Sequence, residues 1–170
     1  MRLSGEILIS ETAVAARVNA LAGAIAADTP DGEPLSVIAL LDGAFMFGAD
    51  LVRRLPMPVR MALMPVTSVD RGGDPTAMAL PAGFPVAGAD VLVVEDILDT
   101  GRTLLVLKTH LLAMRPRRLR IAVLLDKPAR RAEALVPDYV GFQVPDRWIV
   151  GYGLDADGLY RNLPYISYLE

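Results

Sequence analysis

The sequence predicts an α/β fold in which a mostly parallel, twisted sheet is flanked by helices. Two observations support this prediction: short apolar runs alternate with stretches of helical periodicity, and the apolar runs are continuous. Continuous apolar runs are typical of strands buried on both faces, and strands that alternate with helices build parallel sheets. The length of 170 residues suits one domain over residues 1–170.

The predicted elements begin with a helix over Glu11–Ala27, which Ser10 or Thr12 caps. Its apolar residues share one helical face, and they are Val14, Val18, Leu21 and Ile25. Apolar runs then predict strands at Leu35–Leu41, Val59–Val66, Val91–Val94, Arg120–Leu125, Tyr139–Val144 and Trp148–Tyr152. A helix that reaches Leu55 follows the first strand, and a helix with Leu104, Leu107, Leu111 and Met114 on one face follows the third. The stretch Thr67–Asp90 is irregular, which is typical of a functional or mobile segment.

Composition excludes several classes of protein. The absence of cysteine excludes disulfides and thiolate metal sites. A net charge of −3 provides no global attraction for nucleic acid, and we interpret Arg115, Arg117, Arg118 and Arg120 as a solvated surface turn. The apolar runs are far shorter than the roughly 20 residues that span a bilayer. We therefore expect a cytoplasmic protein with no nucleic-acid or membrane partner. We also expect Met46, Met61 and Met64 to fill part of the core.

The segment Val91–Leu104 (VLVVEDILDTGRTL) carries the most specific chemistry in the chain. Glu95 and Asp96 follow its apolar run, at the end of a strand, which is where open parallel sheets bind ligands. Two adjacent carboxylates are costly at such a position unless they meet a partner. A vicinal diol is a suitable partner, and so is a hard cation such as Mg²⁺.

The residues that follow, Asp99–Thr103, enter a helix. Gly101 permits close backbone approach, and amide groups at a helix start suit a phosphate. Thr100 and Thr103 add hydroxyl donors. A diol site followed at this spacing by a phosphate site matches a ribose 5-phosphate, with Asp99 between the two. The complete motif favours this interpretation over a plain acidic turn before a capped helix.

This motif closely resembles the 5-phosphoribosyl-1-pyrophosphate (PRPP) loop of type I phosphoribosyltransferases. Three later segments are similar to hypoxanthine-guanine phosphoribosyltransferases in sequence and order: LLDKPARR (Leu124–Arg131), VGFQVPDRWIVGYGLD (Val140–Asp155) and LYRNLPYI (Leu159–Ile166). The resemblance implies the type I phosphoribosyltransferase fold, with a mobile loop and a small C-terminal base-binding region. It also implies purine salvage, in which PRPP and hypoxanthine or guanine give IMP or GMP and pyrophosphate.

The resemblance assigns roles to individual residues. Asp99 would be the acid/base group near purine N7. Residues that would bind PRPP and its phosphates are Glu95, Asp96, Thr100, Gly101, Arg102, Thr103, Asp42, Gly43 and Arg161. Mg²⁺ would be held by Glu95, Asp96 and Asp155.

The purine would be bound by Lys127, Trp148, Ile149 and Asp155. Lys127 would donate to the 6-oxo group, and a fixed donor disfavours a 6-amino group because it leaves the donor unpaired. Trp148 would stack on the ring, since every base offers a π face, and Ile149 would pair through its backbone. Taken alone, Lys127 is equally consistent with an exposed lysine after a strand, and Trp148 is more typical of plain core packing.

Two positions depart from the family's pattern. The family's pyrophosphate loop typically has a lysine or arginine before the glycine, whereas this chain has Asp42-Gly43. An acid beside pyrophosphate is unfavourable unless a metal or an arginine intervenes. The family's mobile loop carries a Ser-Tyr pair, and the matching pair here is Ser68-Val69, which affects lid closure and water exclusion.

These departures leave alternatives to the salvage enzyme open. One is a PRPP- or nucleotide-sensing protein of the same fold with weak or no catalysis. Another is a transferase that prefers a different base, such as xanthine. Because relatives are commonly dimers or tetramers, the resemblance also implies a homodimer or homotetramer.

Overall fold

The computed structural model describes residues 2–30, 32–66 and 80–170. The helices are α1 (Glu11–Ala27), α2 (Phe45–Val52) and α3 (Arg102–Ala113). The strands are β1 (Leu35–Leu41), β2 (Val59–Pro65), β3 (Asp90–Leu98), β4 (Arg118–Asp126), β5 (Tyr139–Gln143), β6 (Trp148–Val150) and β7 (Ser167–Leu169), and a short 3₁₀ helix spans Pro128–Arg130. This order confirms the predicted α/β alternation.

Strands β1 to β5 form one parallel sheet in the order β2-β1-β3-β4-β5. The chain passes from β1 to β2 at the sheet edge and then crosses back to β3 on the other side of β1. The strand order therefore reverses between β1 and β3, and open parallel sheets bind ligands outside the carboxyl ends of the strands at such a point. The topology places the loop after β1 beside the end of β3.

Successive side chains of β3 pack against different helical layers, as the two-residue repeat of a strand requires. Leu92 and Val94 belong to the core that contains α1 and α2. Val91 and Val93 belong to the core that contains α3, where Leu107 is fully buried. Both faces of the strand are apolar for this reason, which explains the continuous apolar run in the sequence.

A second, two-stranded sheet is formed by β6 and β7, which pair antiparallel. The residues before α1 join the same region of the molecule, because Leu3 bridges to Leu169 and Ile9 bridges to Ile166. The two ends of the described chain thus meet in the layer that carries Trp148.

Several predicted boundaries are confirmed and others shift. Helix α1 and strand β1 have the predicted bounds, and Ser10 Oγ caps α1 by accepting from the Ala13 amide at 3.2 Å. Strand β3 continues to Leu98, beyond the predicted Val94, because it keeps pairing with β4 after its pairing with β1 ends. Helix α2 ends at Val52, before the predicted Leu55.

The prediction of a solvated arginine turn is wrong for Arg120. This residue lies in β4 and is only 5% exposed. Its guanidinium donates to Tyr139 Oη at 2.9 Å and to Thr29 Oγ1 at 2.9 Å. These partners come from β5 and from the turn after α1, so they give no signal in the sequence near Arg120.

The methionines that were predicted to lie in the core differ in how deeply they are buried. Met64 is buried, but Met61 is 36% exposed because the two residues lie on opposite faces of β2, and Met114 is 37% exposed at the C-cap of α3. Ser68 and Val69, with the rest of 67–79, lie outside the described residues. Among the residues that are described, no helix is long and apolar enough to cross a membrane.

Two neighbouring leucines of α3 provide a test of this packing. Leu111 is fully buried against the sheet, whereas Leu112 is 51% exposed. We expect Leu111→Ala to lower the free energy of unfolding by about 2–5 kcal/mol, because it removes apolar contacts and leaves a cavity. Leu112→Ala should change it by no more than about 0.5 kcal/mol. Urea unfolding of both variants measures the difference, and equal losses would contradict the assigned helix face.

Candidate functional site

Three chain segments meet at the carboxyl ends of β1 and β3. A Cβ at Gly43, in the loop after β1, would lie 1.7 Å from Asp96 Oδ2 at the end of β3. A Cβ at Gly153, where φ is +100°, would lie 2.3 Å from the Gly43 carbonyl oxygen. Glycine is the residue that allows backbone to approach this closely. The loop after β1 therefore touches the end of β3, and the segment after β6 touches the loop after β1.

Two adjoining clefts open at this meeting point. The larger cleft, of about 600 Å³, is lined by the loop after β1, the end of β3 and the start of α3. The smaller cleft, of about 470 Å³, lies between the residues after β4 and strand β6. They share a wall made of Asp96, Ile97, Asp99, Arg130, Trp148 and Asp155. A ligand with two linked parts can therefore occupy both clefts at once.

Glu95 and Asp96 line the larger cleft from the last part of β3. Glu95 Oε1 accepts from the Asp96 amide at 3.1 Å, and Asp96 Oδ1 accepts from the Ile97 amide at 2.7 Å. Burial raises the pKa of Glu95 well above its usual value, and the adjacent Asp96 carboxylate raises it further. Burial also raises the pKa of Asp96, although hydrogen bonds and the Arg161 charge oppose the increase. The pair is therefore electrostatically suited to take up a proton or a cation.

The loop Asp99–Thr103 forms the far end of the larger cleft. Gly101 has a φ of +88° and precedes the first residue of α3, and its carbonyl accepts from the Leu105 amide at 2.9 Å. The Thr100 carbonyl accepts from the amides of Ala132 and Glu133, at 3.0 and 3.2 Å, which anchors the loop to the chain after β4. The start of α3, with its positive dipole end, thus faces a cleft that also contains Thr100 and Thr103.

Asp99 lies where the two clefts join. Its Oδ1 is 2.7 Å from Nε of Arg130, and 40% of its side chain remains exposed. The predicted acid/base residue is therefore placed between the predicted phosphate end and the predicted base end of the site.

Lys127 is buried, with only 7% exposure, so the interpretation as an exposed lysine is wrong. Its Nζ donates to the Arg147 carbonyl oxygen at 2.6 Å and lies 4.0 Å from Asp146 Oδ1. Burial lowers the pKa of Lys127, while the carboxylates of Asp99 and Asp146 act in the opposite direction. A cation held this way presents a fixed donor to the smaller cleft.

Trp148 is 44% exposed and lines both clefts, so the interpretation as plain core is also wrong. Its indole Nε1 donates to the Asp155 carbonyl oxygen at 3.1 Å, which fixes the ring orientation. Ile149 is buried, pairs with Tyr168 of β7, and also lines the smaller cleft. The small sheet therefore supplies one wall of this cleft.

Arg161 connects the loops around the larger cleft. It donates to the Gly153 carbonyl oxygen at 2.6 Å and pairs with Asp155 Oδ1 at 3.1 Å. Its Nη2 also lies 3.6 Å from Asp42 Oδ2. An arginine therefore stands beside Asp42, which is the condition under which an acid in this loop is compatible with a phosphate ligand.

Sequence reasoning missed Arg130, Asp146 and Arg147, all of which line the smaller cleft. Arg130 follows Lys127 in the LLDKPARR segment, and the other two precede Trp148. Their position in the sequence, close to the predicted base-binding residues, was the feature that could have identified them. Ser68 and Val69 lie outside the described residues, so their predicted loop role stays a prediction.

The chain is similar to known phosphoribosyltransferases over most of its length. The phosphoribosyl transferase domain model matches residues 5–157. The chain is 40% identical over 151 residues to a hypoxanthine-guanine phosphoribosyltransferase of Staphylococcus epidermidis, covering 87% of this chain and 84% of that protein. It is 37% identical over 171 residues to the hypoxanthine phosphoribosyltransferase of Salmonella typhimurium, covering 98% and 96%.

Solved structures are similar over nearly the whole chain. A hypoxanthine-guanine phosphoribosyltransferase of Bacillus anthracis superposes with a TM-score of 0.89 at 39% identity, covering 99% of this chain and 100% of that one. The hypoxanthine phosphoribosyltransferase of Trypanosoma cruzi superposes with a TM-score of 0.88 at 38% identity, covering 98% and 97%. The chain therefore belongs to the phosphoribosyltransferase family, and within it to the hypoxanthine-guanine phosphoribosyltransferase group of enzymes.

Proposed function

We propose that this enzyme transfers the 5-phosphoribosyl group of PRPP to hypoxanthine and/or guanine, giving IMP or GMP and pyrophosphate. The observation that carries the proposal is the pair of adjoining clefts with Asp99 at their junction. The larger cleft has paired carboxylates for a diol and a helix start for a phosphate. The smaller cleft has a buried lysine for a 6-oxo group and an exposed indole for a ring.

The proposed reaction is a displacement at the anomeric carbon. Purine N9 attacks C1 of the ribose, and the bond from C1 to the pyrophosphate oxygen breaks. Asp99 accepts the proton that leaves N7, so the base becomes neutral as the new bond forms. Glu95 and Asp96 hold the ribose hydroxyls and stabilise positive charge that develops on the ring. Arg161 contacts the departing pyrophosphate.

Glu95 and Asp96 also fit the proposed Mg²⁺. Burial raises the pKa of both carboxyl groups, and a cation beside them would offset the cost of burying two negative charges, which supports this part of the proposal. Among the described residues, no three acidic or histidine side chains are grouped to hold a metal ion, so Glu95, Asp96 and Asp155 do not form a three-ligand set. Mg²⁺ held by Glu95 and Asp96 would supply charge neutralisation to the pyrophosphate. Asp155 is a weaker candidate, because its Oδ1 pairs with Arg161 and its Oδ2 accepts from the Gly158 amide.

The proposal extends to base preference and to assembly. Xanthine remains the alternative base, because Ile149 contacts the base through its backbone in this proposal, and backbone contacts discriminate weakly at the 2-position.

Exposed Met61 and Leu63 on the edge strand β2 support a homodimer or homotetramer. We also propose that the enzyme is cytoplasmic, with no nucleic-acid or membrane partner.

The first prediction concerns the products. Purified protein with PRPP and Mg²⁺ should form IMP from hypoxanthine and GMP from guanine. The kcat/KM for adenine should be at least about 10³-fold lower, because the 6-amino group gives Lys127 Nζ no acceptor on the base. Chromatography of the nucleotide products, with xanthine included, measures the preference. No product from any base, with PRPP binding intact, would support the sensing alternative.

The second prediction concerns Asp99. We expect Asp99→Asn to lower kcat by about 10²–10⁴-fold, because an amide cannot accept the N7 proton. The affinity for PRPP should stay near the wild-type value. Asp157→Asn is the matched control, since Asp157 is exposed and lines neither cleft. Equal losses of kcat and of PRPP affinity would make Asp99 a binding residue instead.

The third prediction concerns the stability cost of Glu95. Because its folded-state pKa is raised, the stability that protonated Glu95 contributes is fully present below its unfolded pKa of about 4.3 and is lost as the pH rises through the higher folded-state pKa. Glu95→Gln should therefore raise Tm at pH 7–8 without Mg²⁺. The increase should be about 2–4 °C for each kcal/mol of destabilisation that the substitution removes. The gain should vanish near pH 4.

Thermal unfolding from pH 4 to pH 8 measures this effect. Glu33→Gln, at an exposed carboxylate, should show little change at either end of the range. A Tm for Glu95→Gln at or below that of the wild type at pH 8 would overturn the assignment of Glu95 as a destabilising charge.

A further inference from the structure

The geometry points to Arg130 and Asp146 as positioning residues that set the spacing between Asp99 and Lys127. This inference rests on the proposed function, in which Asp99 meets purine N7 and Lys127 meets the 6-oxo group. Those two atoms lie on the same edge of a purine. The acceptor and the donor must therefore be held at a matching distance from each other before the base arrives.

A chain of charges of alternating sign connects the two proposed base-contacting residues. Asp99 Oδ1 lies 2.7 Å from Arg130 Nε, and Arg130 Nη1 lies 3.6 Å from Asp146 Oδ1. The same Asp146 oxygen lies 4.0 Å from Lys127 Nζ. All four side chains line the smaller cleft. This chain of charges runs from the acid/base group to the 6-oxo donor along the wall of the smaller cleft.

The contact with Arg130 also determines which oxygen of Asp99 is presented. Asp99 Oδ1, beside the guanidinium, is shielded from solvent. The side chain as a whole is 40% exposed, so the exposed surface belongs to the rest of the carboxylate. Arg130 thus covers one oxygen and leaves Oδ2 for the purine. A free carboxylate would rotate between equivalent orientations and pay entropy when it is fixed.

Lys127, at the other end of this chain of charges, is fixed by burial and by a contact with the backbone. Lys127 Nζ donates to the Arg147 carbonyl at 2.6 Å, so the ammonium group is held on two sides. The carboxylates of Asp99 and Asp146 oppose the lowering of the Lys127 pKa by burial. This chain of charges has two positive and two negative groups, so it orients the side chains of Asp99 and Lys127 without adding net charge.

The test compares Arg130→Gln, Asp146→Asn and the double variant by steady-state kinetics. Because these pairs are about half exposed, each single change should lower kcat/KM for hypoxanthine by about two- to fivefold. The double variant should lose no more than the larger single loss, since both residues belong to one chain. KM for PRPP and Tm should match the wild-type values, and Arg130→Lys should recover most of the lost kcat/KM.

Arg53→Gln is the matched control, because it breaks a similar exposed pair, with Asp50 on α2, away from both clefts. Additive losses, unchanged kinetics or an equal effect on PRPP would overturn the inference. A lower KM for hypoxanthine in Arg130→Gln would also overturn it, because Arg130 would then compete with the base. Wild-type protein that transfers no phosphoribosyl group would instead contradict the proposed function.

Discussion

The close contact between the Gly43 and Gly153 backbones holds together two of the segments that build the site. A side chain at position 153 would overlap the Gly43 carbonyl, so the loop after β1 and the segment after β6 pack directly against each other. Tyr152 secures this contact from the other side, because its hydroxyl donates to Asp50 on α2 at 2.6 Å. Arg161 then reaches both loops by bonding to the Gly153 carbonyl and pairing with Asp42. Loss of the contact would therefore move the loop after β1 away from the segment after β6 and from Arg161.

The site is built from charges that stabilise the fold poorly in the absence of ligand. Glu95 and Asp96 are adjacent carboxylates whose burial raises both pKa values, and Lys127 is a buried cation. A protein selected for stability alone would replace such groups, and their presence is typical of functional sites. The apolar strands behind them compensate: β3 is fully buried on both faces up to Val94. The rigid core thus allows a costly arrangement of charge at its edge.

The sequence predicted those features whose causes are local. Helix α1, strand β1 and the placement of Glu95 to Thr103 follow from periodicity, capping and motif order, which act within a few residues. Features that depend on distant partners were missed or misread. Arg120 looked like a surface residue because its partners, Thr29 and Tyr139, are far away in the sequence. The ion pair of Arg130 with Asp99 spans two loops, and neither loop shows the other in its sequence.

Asp42 illustrates how a distant partner changes the meaning of a residue. An acid in the pyrophosphate loop is unfavourable on its own, but Arg161 lies 3.6 Å from it and 3.1 Å from Asp155. Asp42 is 74% exposed, and an exposed pair of this kind is worth at most about 1 kcal/mol. The pairing with Arg161 therefore offsets the negative charge of Asp42 at the edge of the larger cleft, so an acid at this position does not exclude a pyrophosphate ligand there.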